Sequence, residues 1–167
     1  MVVDPDLDLI NDGFIIQGGP RDRVIKAKTE IGTLYGRYAL QRLEATGKAD
    51  GVLDIREEPS YEHRILNHWD NLDNTVERGY AGWSIWHWGE PVPVELIKDY
   101  ARLNASIGIN GTVLNNVNAT PEMLSQEKLT RVAEIADILR PYGIKVYLSV
   151  NFSPPAAPGG LETSDPL

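Results

Sequence analysis

Cysteine is absent from this 167-residue chain, which excludes disulfides, iron–sulfur clusters, zinc–thiolate centres and any thiol nucleophile. Positive charge is scarce as well: 16 Lys and Arg stand against 24 Asp and Glu, a net charge of −8. So acidic a chain lacks the cationic footprint that nucleic acid or an anionic membrane surface requires, and neither partner is expected. No stretch approaches the roughly 18 apolar residues of a membrane span. The opening, MVVDPDLDLINDGF, is acidic and interrupted by Pro5. A secretory signal would need a basic end and an apolar run of about 7–15 residues, so no signal peptide is expected, and cytoplasm and periplasm both suit a chain without cysteine. The three histidines, His63, His68 and His87, show neither HExxH nor HxH spacing, and no metal centre is expected of them. GGPRDR (18–23) has neither the GK[ST] nor the following helix of a phosphate loop, and no organic cofactor is implied.

What is present is a globular composition, 42% hydrophobic against 24% charged. At this length roughly 70% of the unfolded surface is buried on folding, enough for a proper core. Two halves of different rhythm meet between residues 60 and 80. In the first, GFIIQGG (13–19) and RVIKAK (23–28) predict a hairpin. Thr29 then predicts an N-cap to a helix carrying Ile31, Leu34, Tyr35, Tyr38, Ala39 and Leu43 at helical spacing, with Gly47 as its stop. VLDIRE (52–57) completes a β-β-α-β unit.

The second half alternates strand and helix. WSIW (83–86) predicts a strand, and 94–107 a helix with Leu96, Tyr100, Leu103 and Ile107 on its inner face, widened by Ile97 and Ala101. GTVLNN (111–116) predicts a second strand. Ser125 predicts the cap of a helix whose stripe is Leu129, Val132, Ala133, Ala136 and Leu139, closed by RPYG (140–143). IKVYLSVNF (144–152) predicts a third strand. Apolar strands separated by amphipathic helices signify a parallel sheet covered by helices. Three such strands leave two raw edges, whereas a closed barrel takes eight strands and about 250 residues. The tail NFSPPAAPGGLETSDPL (151–167) ends in a loop, and an exposed edge after Asn151 is expected to promote aggregation of a bare piece.

Candidate functional residues gather at three places. NHWDNLD (67–73) with ERGYAG (77–82) brings together Trp, His, carboxylates and Arg. A Trp beside Asp and Asn suits a pyranose, stacking on its apolar face while the polar groups take its hydroxyls; a plug at a structural junction is the other reading. LNNVN (114–118) and SVNFS (149–153) fall at the C-terminal ends of strands, where parallel α/β proteins bind ligands; stitching of strand ends is the alternative. WSIWHWGE (83–90) offers three Trp and His87, as core or as an aromatic cleft wall. The sequons at Asn104, Asn110, Asn118 and Asn151 fall on element ends expected to be buried, and are read as chance. No pair of carboxylates presents itself as the acid and base of glycoside hydrolysis.

The blocks LNHWDNLDNTVERGYAG, DYARLNASIGINGTVLNNVNA and RPYGIKVYLSVNFSPPAAPGGLETSDPL closely resemble the α-glucuronidases of glycoside hydrolase family 67, and TEIGTLYGRYALQRLEATG resembles that family's N-terminal domain. The resemblance covers about residues 13 to 167. It implies an α/β chain in which residues 1–60 end a small α/β (β-β-α-β) domain, 61–80 form a junction, and 81–167 begin a (β/α)8 TIM barrel with its first three strands. It also implies an inverting hydrolase that releases glucuronic or 4-O-methylglucuronic acid from xylo-oligosaccharides, without a cofactor, and a homodimer formed through a helical C-terminal domain absent from these residues. By position, Trp69 matches the tryptophan that packs on the uronic acid and Val117 an apolar contact near its 4-O substituent, while Asn116, Asn118 and Asn151 occupy cleft positions at strand ends. The family's general acid, its base carboxylates and the basic residues that hold the sugar carboxylate match nothing before Leu167, so an isolated chain is expected to be inactive. A non-catalytic carbohydrate-binding or assembly protein completed by another chain is the rival reading, and another glycosidase with a similar N-terminal unit is a third.

Overall fold

A computed structural model describes residues 1–10, 12–77 and 82–151. The Arg-Gly-Tyr-Ala part of ERGYAG and the tail from residue 152 onward lie outside them, as does the end of the third predicted strand. The chain divides into two units, residues 1–64 with 102–109, and residues 65–101 with 110–167.

The first unit carries β1 (Val2–Val3), β2 (Phe14–Gly18), β3 (Val24–Ala27), α1 (Glu30–Ala45) and β4 (Leu53–Glu57) in a four-stranded sheet of order β1-β3-β2-β4. The predicted hairpin is the antiparallel β2–β3 pair, in which Phe14 faces Ala27 and Gln17 faces Val24. β1, too short to announce itself in the sequence, adds in parallel to β3. Thr29 caps α1 as its spacing predicts, its hydroxyl accepting from the Gly32 N–H at 3.0 Å. The buried face of α1 differs from the predicted one, running through Gly32, Thr33, Tyr35, Gly36 and Ala39. Two glycines lie on it because the helix rests directly on the sheet: a Cβ on Gly32 would stand 2.7 Å from both the Ala27 Cβ and the Gly13 carbonyl oxygen. Bulky Ile31 and Leu34 are therefore displaced to its flanks.

The second unit holds β5 (Ile65–Asn67), α2 (Val94–Ser106, whose last turn groups with the first unit), β6 (Gly111–Val113), α3 (Gln126–Leu139) and β7 (Lys145–Tyr147). The strands form a parallel sheet of order β5-β6-β7. Three sequence expectations are corrected here. First, residues 83–86 do not form a strand beside β6, whose two edges are taken by β5 and β7. WSIW keeps an alternating burial, with Ser84, Trp86 and Trp88 inside, but among the described residues pairs through a single bridge between Trp83 and Thr75 before turning at His87 (φ 48°) and Gly89. The first parallel strand is instead Ile65–Asn67, three exposed residues with no apolar rhythm to betray them.

Second, α2 turns Ile97, Ala101, Asn104 and Ala105 inward, and leaves Leu96, Leu103 and Ile107 exposed. Third, α3 buries Ile135 and Leu139, with Val132 and Ile138 packed beside them, while Leu129 and Ala133 face out. Trp86 and Trp88, together with Leu114, Met123 and Ile144, fill the core that both helices cover, and α2 adds Ile97 and Ala101 to it. The Ser125 cap and the Arg140–Tyr142 turn, ended by Gly143 in the left-handed region, stand as predicted. No helix among the described residues is long and apolar enough to cross a membrane.

Replacing Gly32 with alanine tests the close approach of α1. In an open helix this change stabilises by roughly 1 kcal/mol. Here the new Cβ meets a backbone oxygen, and we expect a loss of about 1–3 kcal/mol, read as a lower urea midpoint by far-ultraviolet circular dichroism.

Candidate sugar-binding rim at the strand ends

Parallel pairing sets Val113 opposite both Asn67 and Tyr147, so the chain leaves all three strands at one level. Residues 68–71, 114–119 and 148–151 emerge there side by side, and a web of side-chain amides ties them. Asn115, wholly buried, bonds the backbone of Ser149 twice: its Nδ2 donates to the Ser149 carbonyl at 2.8 Å and its Oδ1 accepts the Ser149 N–H at 3.2 Å. This side chain imitates a peptide and extends the β6–β7 ladder past the last paired residues.

Asn116 performs the corresponding task toward β5. Its N–H donates to the Asp70 carbonyl at 3.0 Å, its Nδ2 donates to Asn71 Oδ1, and its Oδ1 receives the Asn118 N–H at 2.6 Å. Val117 is thereby held out at the rim, half exposed. Asn118 is exposed too, and its Nδ2 donates to Glu77 Oε1 at 3.3 Å. Glu77 in turn donates its N–H to the Trp69 carbonyl at 2.8 Å. Trp69, half-buried, follows β5 directly, and Asn151 after β7 is joined to the β6 loop by its N–H bond to the Ala119 carbonyl at 2.9 Å. The rim therefore assembles Trp69, Asn116, Val117, Asn118 and Asn151 within one unit.

Behind the rim lies a polar array that the sequence did not announce. His68 Nε2 and Thr112 Oγ1 are each 2.9 Å from the Tyr100 hydroxyl, and His68 Nδ1 is 3.7 Å from the buried Asp70 carboxylate. Trp86 packs edge-on against both rings. Burial pushes the Tyr100 hydroxyl pKa up, the Asp70 charge adds to this, and the Thr112 hydrogen bond opposes it. His68, at the residue between Asn67 and Trp69, is thus anchored to α2 and β6. Only the tertiary arrangement reveals this, because 32 positions separate His68 from Tyr100. Of the three tryptophans in WSIWHWGE, Trp86 and Trp88 are core and Trp83 is 60% exposed. The expectation that the sequons are buried holds for Asn104 but not for Asn118.

Aromatic, amide and carboxylate groups thus gather at the carboxyl edge of a parallel sheet, the edge at which α/β proteins bind ligands. Comparison with known proteins makes this specific. Residues 43–167 match the glycosyl hydrolase family 67 middle domain, and the chain belongs to that family. It is 42% identical over 166 residues to the probable alpha-glucuronidase A of Aspergillus clavatus, covering 98% of this chain and 20% of that protein. It is also 42% identical over 167 residues to the alpha-glucuronidase A of Emericella nidulans, covering 96% of this chain and 20% of that protein. The chain thus spans about a fifth of the length of these curated relatives. Among solved structures it is similar to a beta-N-acetylhexosaminidase (TM-score 0.58, 13% identity, 93% of this chain and 35% of that one). A GH138 enzyme targeting pectin rhamnogalacturonan II is also similar (TM-score 0.59, 13% identity, 89% of this chain and 19% of that one). At such identities these two likenesses speak for the fold alone.

Two substitutions test this architecture. Asn115→Ala strips the partners from the Ser149 N–H and carbonyl, and we expect a cost of about 1–3 kcal/mol together with faster hydrogen exchange at the Ser149 amide. For Tyr100 the raised pKa sets the sign of a pH effect: above about pH 10 the unfolded chain loses the phenolic proton while the native site keeps it, so stability falls as pH rises. Tyr100→Phe should therefore flatten the decline of the urea midpoint between about pH 9 and about pH 11.

Proposed function

We propose that this chain is the first barrel portion of an α-glucuronidase, an inverting glycoside hydrolase that releases glucuronic or 4-O-methylglucuronic acid from xylo-oligosaccharides. The observation that carries the reading is the convergence of Trp69, Val117, Asn118 and Asn151 on one strand-end rim, in a chain 42% identical to proteins named alpha-glucuronidase. Residues 1–60 are the end of an N-terminal domain, and the barrel begins at β5 within the 61–80 segment. β5, β6 and β7 are its first three strands. An apolar groove of about 370 Å³ supports a fourth: it runs between α3 and β7, lined by Val132, Ala136, Ile144, Val146 and Leu148 among others, beside a β7 edge that has no strand partner among the described residues.

At the strand-end rim the Trp69 ring offers the apolar face of the uronic acid a stacking surface, and Val117 meets the 4-O substituent. Asn118 and Asn151 supply neutral hydrogen-bonding groups that address sugar hydroxyls without competing for protons. Asn116, with its amide engaged by Asn71 and Asn118, serves as their scaffold. Inversion needs one carboxyl to protonate the leaving xylose oxygen and another to activate water on the opposite face, and these are assigned to barrel strands after Leu167. A homodimer formed by a C-terminal helical domain completes the proposed enzyme.

Calorimetric titration with sodium D-glucuronate, with D-xylose as control, is the direct test. Trp69→Ala should weaken glucuronate binding at least tenfold. The 167-residue chain should release no uronic acid from 4-O-methylglucuronoxylo-oligosaccharides. Release by the chain alone would overturn the assignment of acid and base to later strands, and binding indifferent to Trp69→Ala would overturn the uronic-acid pocket.

A further inference from the structure

The Glu77 carboxylate has no role in the scheme above, yet it is built into the rim from two sides. Its N–H is bonded to the Trp69 carbonyl at 2.8 Å, so its backbone is tied to that of the proposed stacking residue. Its Oε1 receives Asn118 Nδ2 at 3.3 Å, and Asn118 is itself set by Asn116 Oδ1 at 2.6 Å. Trp69, Asn71, Asn116, Asn118 and Glu77 thus form a closed circuit of backbone and hydrogen bonds around the rim. Among the described residues, Asn118 is the hydrogen-bond partner of the Glu77 carboxylate, through Oε1. A carboxylate offers about four lone-pair sites, of which the circuit occupies one. A half-buried anion oriented by a neutral amide, beside a tryptophan, is an acceptor for hydroxyl donors.

We propose that Glu77 is a substrate contact and a specificity-determining residue, accepting hydrogen bonds from ring hydroxyls of the uronic acid stacked on Trp69. This rests on the uronic-acid pocket proposed above and adds to it an orientation rule. Glu77 repels the substrate's own carboxylate, so the sugar enters with its hydroxyl edge toward Glu77 and Asn118, and its carboxylate directed away from them. An electrically neutral pocket of the same shape would lack this discrimination.

The test compares Glu77→Gln with Trp69→Ala in the 167-residue chain, using calorimetric titration with sodium D-glucuronate and a urea unfolding curve for each variant. Glutamine keeps an oxygen for Asn118, so a purely structural role leaves both binding and the unfolding midpoint unchanged. A substrate contact instead predicts binding weakened about tenfold or more with an unaltered midpoint, the loss of a charge-assisted hydrogen bond. Glucuronate binding that is sensitive to Trp69→Ala but indifferent to Glu77→Gln overturns the Glu77 contact and leaves the pocket standing. Binding indifferent to both substitutions, or absent from the unsubstituted chain, overturns the pocket and the Glu77 contact with it.

Discussion

Val113 sits between Asn67 on one side and Tyr147 on the other, and that register governs the second unit. Parallel strands paired at one level must release their chains at one level. Three sequence segments separated by more than thirty positions therefore meet along a single edge. A slip of one residue in β6 would turn Asn115 and Asn116 to opposite faces, since side chains alternate along a strand. Their carboxamides would then reach neither Ser149 nor Asn71. The amide stitching and the strand register consequently support each other.

The tryptophan-rich segment folds over the sheet rather than joining it, placing Trp86 and Trp88 in the core beneath α2 and α3. α2 contributes Ile97 and Ala101 to that core and turns Leu96 and Leu103 outward. Arg131 secures the arrangement by donating through Nη2 to the carbonyls of Trp86 and His87, both at 2.8 Å. That segment bends through a positive φ at His87, and a guanidinium spanning two successive carbonyls holds the bend.

At the rim, chemistry and architecture draw on the same residue types. Asn115 and Asn116 are buried and complete the sheet, whereas Asn118, two positions on, is exposed and joined to Glu77. The His68–Tyr100–Thr112 array anchors the residue just before Trp69 from behind. A stacking tryptophan is useful to a sugar only when its ring is held in one orientation, because an unordered ring loses its freedom on binding. The proposed pocket accordingly owes its shape to groups that no sugar touches.

The sequence by itself determined what local physics dictates: the β2–β3 hairpin, the Thr29 and Ser125 caps, the Gly143 stop and the alternation of strands and helices each follow from a few adjacent residues. It also determined family membership, because long ordered blocks such as LNHWDNLDNTVERGYAG are too specific to arise from composition. Only the tertiary structure decided that β5 is Ile65–Asn67, because three exposed residues acquire strand character solely from their partner. It likewise decided which faces of α1, α2 and α3 turn inward, since side-chain volume across the interface selects among apolar stripes of similar quality. The division of the asparagines between sheet and rim was decided there too. An amide has the same chemistry in either place, and only its neighbours determine whether its hydrogen bonds end in the fold or remain open to a ligand.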